Sequence, residues 1–237
     1  MKIRKFQAGI FFGLLCWAGF AVSVQAQVYS GIVGYYTLAL YSGNNLVANQ
    51  LDNSVNSLNS IFKGNVPEET TFTEWDPALL QYLPSSIYDT SSGWSIDYDL
   101  NYGEGGLLHS PSQFTSTITG AVWPEFADPD GPFNPPLISS YGTLLLSCYV
   151  PIEGATFYDV VGRNPQNGES VTTLDGPSQT STISTYENGS WDNGSPMLNV
   201  GQSAFFNLEP APEPEMFSLL GAGVVALAAY HRVGKRK

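Results

Sequence analysis

The chain is poor in basic residues, in cysteine and in histidine, and each shortage closes off a class of function. Between Asp52 and Glu209 stand nineteen Asp and Glu against only Lys63 and Arg163, a net of −17, while the other seven basic residues crowd into the two ends. A surface of that sign repels phosphate backbones and anionic headgroups, so nucleic acid is excluded as a partner. Cysteine occurs twice, at Cys16 and Cys148. Cys16 lies in a leader expected to be removed, and a single remaining thiol cannot close an intramolecular disulfide. Cys148 sits in the apolar run Leu144-Leu145-Leu146-Ser147-Cys148-Tyr149-Val150, where a thiol packs as a small hydrophobe. His109 and His231 are far apart, so they do not read as a metal pair, and nothing local sets His109 beside Cys148 as a base.

What the chain does have is concentrated at its ends. Lys2, Arg4 and Lys5 precede an apolar run over residues 8–24, followed by Val24-Gln25-Ala26. A basic head, a hydrophobic core and small residues make a cleavable export signal over 1–26, cut between Ala26 and Gln27. Lipoprotein processing is disfavoured, because Leu14-Leu15 precede Cys16 where a small residue is needed. At the other end, Glu209-Pro210-Ala211-Pro212-Glu213-Pro214-Glu215 is acidic and extended, since closely spaced prolines cannot propagate a helix. An apolar segment over 216–230 follows, then a basic terminus over 231–237. Fifteen helical residues reach about 22 Å, short of a ~30 Å hydrocarbon core, and snorkelling Arg and Lys cover part of the difference. The positive-inside rule leaves the basic end in the cytoplasm and everything before Pro212 outside.

Pro212-Glu213-Pro214, a short apolar helix and a basic terminus, in that order, resemble the PEP-CTERM sorting signal of Gram-negative bacteria. The resemblance covers about the last 26 residues, and Glu215 stands where members of that family usually carry Ser or Thr. It implies recognition of Pro212, Glu213 and Pro214 by an exosortase, a membrane cysteine protease, during delivery to the surface. It also implies a transient stay in the inner membrane and an association with exopolysaccharide.

The middle is read as a duplication at a spacing of roughly 98 residues. Gly43-Asn44-Asn45-Leu46-Val47 matches Gly142-Thr143-Leu144-Leu145-Leu146, and Ser57-Leu58-Asn59-Ser60-Ile61-Phe62 matches Thr156-Phe157-Tyr158-Asp159-Val160-Val161. Phe72-Thr73-Glu74-Trp75-Asp76 falls on Val171-Thr172-Thr173-Leu174-Asp175, Gly93-Trp94 on Ser190-Trp191, and Leu100-Asn101-Tyr102-Gly103 on Leu198-Asn199-Val200-Gly201. The unit resembles duplicated repeats of other exported bacterial proteins, to which no activity attaches. Tyr, Phe, Thr and Val runs between Gly, Pro, Asn, Asp and Ser clusters predict strands and turns. Residues 36–40 and 115–122 read as half-buried strands, and residues 55–62 as the one short helix. The expected fold is therefore mainly β, with two tandem β-rich repeats, sandwich-like or small barrel-like, over 27–127 and 137–209. A proline-rich linker over 128–136 joins them, and a C-terminal transmembrane helix closes the sorting tail over 210–237.

Few constellations suggest chemistry. Trp94 and Trp191, each with a tyrosine upstream (Tyr88, Tyr186), could stack on sugar rings, but repeated large aromatics read better as repeated core. Asp97, Asp99 and Glu104, with Asp128 and Asp130, form carboxylate clusters that could ligate Ca²⁺; neither stretch has the spacing of an EF-hand loop, so solvated turns are the better reading and no other cofactor or metal is expected. The same carboxylates could in principle serve glycoside hydrolysis, which needs a cleft and an acid of raised pKa. Gly103-Glu104-Gly105-Gly106 lacks the strand-turn-helix setting of a nucleotide loop and reads as a tight turn. Asn188 and Asn193 each open a formal glycosylation triplet. The expectation is a non-enzymatic, exosortase-sorted surface or matrix protein working with exopolysaccharide. A carbohydrate-binding module is the alternative, and a glycosidase is the least favoured.

Overall fold

A computed structural model describes residues 33–62, 64–122 and 135–210. The export signal, its cleavage point at Ala26 and Gln27, most of the 128–136 linker, and Pro212, Glu213 and Pro214 with the rest of the sorting tail lie outside the described residues. In chain order the elements are β1 (Val33–Leu40), β2 (Gly43–Ala48), α1 (Leu58–Ile61), β3 (Thr71–Asp76), β4 (Gln81–Tyr82), β5 (Ser86–Asp89), β6 (Gly93–Trp94), β7 (Gly105–Ser110) and β8 (Phe114–Ala121). Then come β9 (Gly142–Leu146), α2 (Phe157–Val161), β10 (Ser170–Asp175), β11 (Thr180–Glu187), β12 (Ser190–Trp191) and β13 (Ala204–Leu208). The described chain is mainly β, in antiparallel sheets that do not close into a barrel. Among these residues no helix is long and apolar enough to cross a membrane.

Two of the sheets share one strand order. The first runs β2-β7-β3-β5-β6 with β4 added to β3, and the second runs β9-β13-β10-β11-β12. The registers also correspond: Leu108 lies between Asn45 and Phe72, as Phe206 lies between Leu144 and Val171. The two sheets differ at Pro84. In the second sheet β10 and β11 form one unbroken ladder. In the first, Asp76 faces Gln81 but Phe72 faces Ser86, which leaves one extra residue on the returning strand. A proline has no N–H for the ladder, so the surplus is accommodated as a bulge that splits the strand into β4 and β5.

Each sheet carries its own apolar core. Phe62, Phe72, Leu58, Leu100 and Leu108 are closed from water in the first, and Phe157, Val161, Val171, Leu198 and Phe206 in the second. Full burial of a Phe or Leu contributes about 1.5–3 kcal/mol, so these side chains fix which face of each sheet turns inward. The helix expected over residues 55–62 narrows to Leu58–Ile61, and a second helix stands at the corresponding place, where the expectation allowed one. In α2, Thr156 and Asp159 form a capping box, and Gly162 ends the turn in the left-handed region at φ 79°. These caps outweigh the β-preferring composition Phe157-Tyr158-Asp159-Val160-Val161.

Among the described residues the pair β1 and β8 has no counterpart in the second half. It is an eight-residue antiparallel ribbon, Val33 opposite Ala121 through Leu40 opposite Phe114, laid against the first core by Leu38, Leu40, Phe114 and Ile118.

Candidate functional site

The two sheets meet along a reciprocal seam, and it is here that residues distant in sequence converge. The Ala48 N–H donates to Gly201 O at 2.9 Å, and the corresponding Ser147 N–H donates to Gly103 O at 3.0 Å. Val47 bridges Gln202 while Leu146 bridges Glu104. Hairpin tips cross in the same reciprocal manner. Trp75 on β3 donates from Nε1 to Thr143 O at 2.9 Å. Gln179, beyond β10, brackets the peptide of Asn44, accepting from its N–H at 2.6 Å and donating to its carbonyl at 2.9 Å. Each half thus covers the outer edge of the other's first strand, which would otherwise stand unpaired.

Gln50, 1% exposed, is the plug of this seam. Its Nε2 donates to Ser147 Oγ at 3.1 Å and its Oε1 accepts from the Gly201 N–H at 2.8 Å. Gly201 must be glycine on two counts: φ is +73°, and a Cβ would stand 2.2 Å from Leu38 Cδ2. Gly103, at φ +83° and with a Cβ that would meet the Tyr149 ring at 2.6 Å, carries the same requirement on the other side. The repeated Leu-x-x-Gly pattern therefore encodes a seam turn. Glu104 N–H donates to Asn101 O and Gln202 N–H to Asn199 O, the tight turns expected of these stretches.

Beside the seam lies a groove of about 320 Å³, walled by Thr37–Tyr41, Asn45–Val47, Leu174–Pro177 and Asn199–Gln202. Several of its polar side chains are already engaged. Asn45 brackets Tyr41, accepting from its N–H and donating to its carbonyl at 2.8 Å each. Gln202 accepts from Asn199 N–H and donates to Leu174 O, and Asp175 accepts from Ser178. The groove brings no nucleophile beside a base.

The remaining candidates fall apart in space. Trp94 is 5% exposed and packs on Phe62, Phe72 and Tyr88, so little of the ring read as a possible glycan contact faces solvent. Trp191 is half-buried against Phe157 and Tyr186. The cross-strand pairs Tyr88–Trp94 and Tyr186–Trp191 both stand at 5.3 Å with planes 62° and 65° apart, one core element used twice. Asp97 accepts from the Asn59 N–H and so ties α1 to the loop after β6, Glu104 accepts from Asn101 and closes a turn, and Asp128 and Asp130 lie outside the described residues. Among the described residues no group of three or more His, Cys, Asp or Glu could hold a metal ion.

Cys148 is fully buried, its thiol pushed up to about 11 by that burial and its Sγ directed at Asp159 O. His109 pairs instead with Asn44 Oδ1 at 3.0 Å. Asn193 donates from Nδ2 to Ile183 O at 2.7 Å. Glu74 is held above the usual carboxylate range, first by burial and then by Glu104, Asp76 and Asp99.

One site escaped sequence reading. Glu169, wholly buried, takes a forked pair of bonds from Arg163, with Nη1 to Oε2 at 2.9 Å, and accepts further from the N–H groups of Gln166 and Glu209. The rarity of Arg163 was its only signal. Compared with known protein families, curated proteins and solved structures, the chain matches none.

Proposed function

We propose that the chain is an exported, exosortase-sorted surface or matrix protein, structural and not catalytic, held for a time in the inner membrane and then delivered to the cell surface or beyond alongside exopolysaccharide. The observation that carries the reading is the ordered tail: Pro212-Glu213-Pro214, an apolar stretch over 216–230, and Arg232, Lys235, Arg236 and Lys237. The body is consistent with it. Two sheets of equal strand order, read as a tandem duplication of a sandwich-like unit, cover each other's edges, and their polar groups are spent on seams and turns. An acidic exterior suits a secreted chain among neutral or acidic polymers, because it suppresses unspecific adhesion.

The experiment is fractionation of the producing cells. Wild-type chain is expected at the surface or in the medium. A triple change of Pro212, Glu213 and Pro214 to Ala is expected to remain in the inner membrane at full length. Equal surface delivery of both chains would remove the basis of the proposal.

A further inference from the structure

We infer that β8 is a self-association edge, through which the chain pairs antiparallel with β8 of a second copy of itself. The argument begins with how this fold treats uncharged strands. Among strands longer than two residues, β2, β7, β9 and β13 contain no Asp, Glu, Lys or Arg. Each has both edges occupied by protein. β7 lies between β2 and β3, and β13 between β10 and β9, while the outer edges of β2 and β9 are taken by the reciprocal seam. By contrast β3, β5, β10 and β11 each include Asp or Glu. A charge on a strand discourages pairing with another chain, and its absence permits it.

The ribbon breaks the pattern. β1 and β8 are as long as any strand in the described fold and carry no charge, yet among the described residues they pair chiefly with each other. The free side of β1 lines the groove beside the seam, which Leu174–Pro177 and Asn199–Gln202 also line, and Asn45 brackets its end at Tyr41. On β8 the far edge is met at one end only, where Asp52 and Ala121 exchange two bonds of 2.8 Å. Among the described residues nothing pairs with 114–119 on that edge, where Phe114, Ser116 and Ile118 turn inward and Thr115, Thr117 and Thr119 outward. Thr117 already touches Thr37 across the ribbon, Oγ to Oγ at 3.2 Å.

A second copy fits this edge better than a charged partner. Main-chain pairing requires a strand of like length and no opposing charge, and β8 itself meets both conditions. A basic partner would be drawn to the acidic body instead. Two chains of strong negative charge meet at least cost where neither carries any. A twofold axis at Thr117 sets Thr115 against Thr119 of the copy and extends one outward threonine face over four strands.

The test uses the full chain in a non-ionic detergent and does not depend on the sorting proposal. Sedimentation velocity should show a monomer–dimer equilibrium, and Thr117→Lys should raise the dimer Kd at least tenfold with the melting temperature unchanged. Thr182→Lys, at an exposed site on β11, should leave or slightly tighten the dimer, since added positive charge relieves overall repulsion. With Cys16→Ser as background, oxidation of Thr117→Cys should trap a disulfide dimer that the background alone does not form, because Cys148 is buried. A chain monomeric at every concentration, or a dimer indifferent to Thr117→Lys, would overturn the inference. So would a monomer that binds neutral polysaccharide through Thr117.

Discussion

Removing Arg163 tests whether the buried carboxylate of Glu169 is held by the geometry described. Glu169 has no exposure, and Arg163 retains 19% of its side-chain surface. The guanidinium supplies two of the bonds on the carboxylate, and Gln166 N and Glu209 N supply two more. Arg163→Ala therefore leaves an uncompensated charge in a dry site, with only two peptide N–H groups facing it. Breaking a buried pair in this way costs about 3–5 kcal/mol, and the surviving N–H bonds put this case near the lower figure. Against a total stability of roughly 5–15 kcal/mol, about 3 kcal/mol is a large fraction. For a chain of this size it lowers Tm by about 6–12 °C.

Glu169→Gln should cost less, about 1.5–3 kcal/mol, because Arg163 can turn its partly exposed end to water while the charge-assisted bonds are lost. Replacing both residues with Met should recover most of the loss, since no charge is then stranded. Equilibrium urea unfolding followed by circular dichroism, completed as a double-mutant cycle, measures the coupling. A loss under about 1 kcal/mol for Arg163→Ala, or strict additivity of the pair, would refute the reasoning.

Three further outcomes follow from the same structure. Gln50→Ala should destabilise by about 2 kcal/mol in urea unfolding, because the Gly201 N–H and Ser147 Oγ each lose a partner inside the seam. Glu74→Gln should raise Tm at pH 7. The folded carboxyl is raised above its ordinary value, so the stability its protonation contributes is present at low pH and lost as pH rises through the folded value; the gap between Gln and wild type should close in acid and narrow with salt. Cys148 should resist alkylation in the folded chain at pH 8 and react once urea unfolds it, as read by peptide mass, because its thiol is buried and pushed up to about 11.

Local pattern carried much of the architecture. The alternation at 36–40 and 115–122 became β1 and β8, since a period of two needs only a core on one side to be realised. The matched Tyr88–Trp94 and Tyr186–Trp191 were visible as a repeat, and their reading as core rather than sugar platform rested on size alone until the packing was seen. The second helix was not legible, because a five-residue turn rich in aromatic and β-branched side chains depends on its caps and on the sheet beneath it.

What the sequence determined by itself is a matter of composition and order along the chain: an acidic body with one cysteine, strand-forming periodicity, a repeated glycine, and an apolar run beside basic residues at each end. These are properties of neighbouring residues, and they hold whatever the rest of the chain does. The tertiary structure alone decided that Gln50 meets Gly201, that Trp75 and Gln179 reach across to opposite halves, and that Arg163 and Glu169 hold the peptide of Glu209. Each of these contacts requires two or more segments to be set side by side by their own cores first. The physical reason is that burial selects a face, whereas a hydrogen bond selects a partner, and the partner is known only when both faces have been packed.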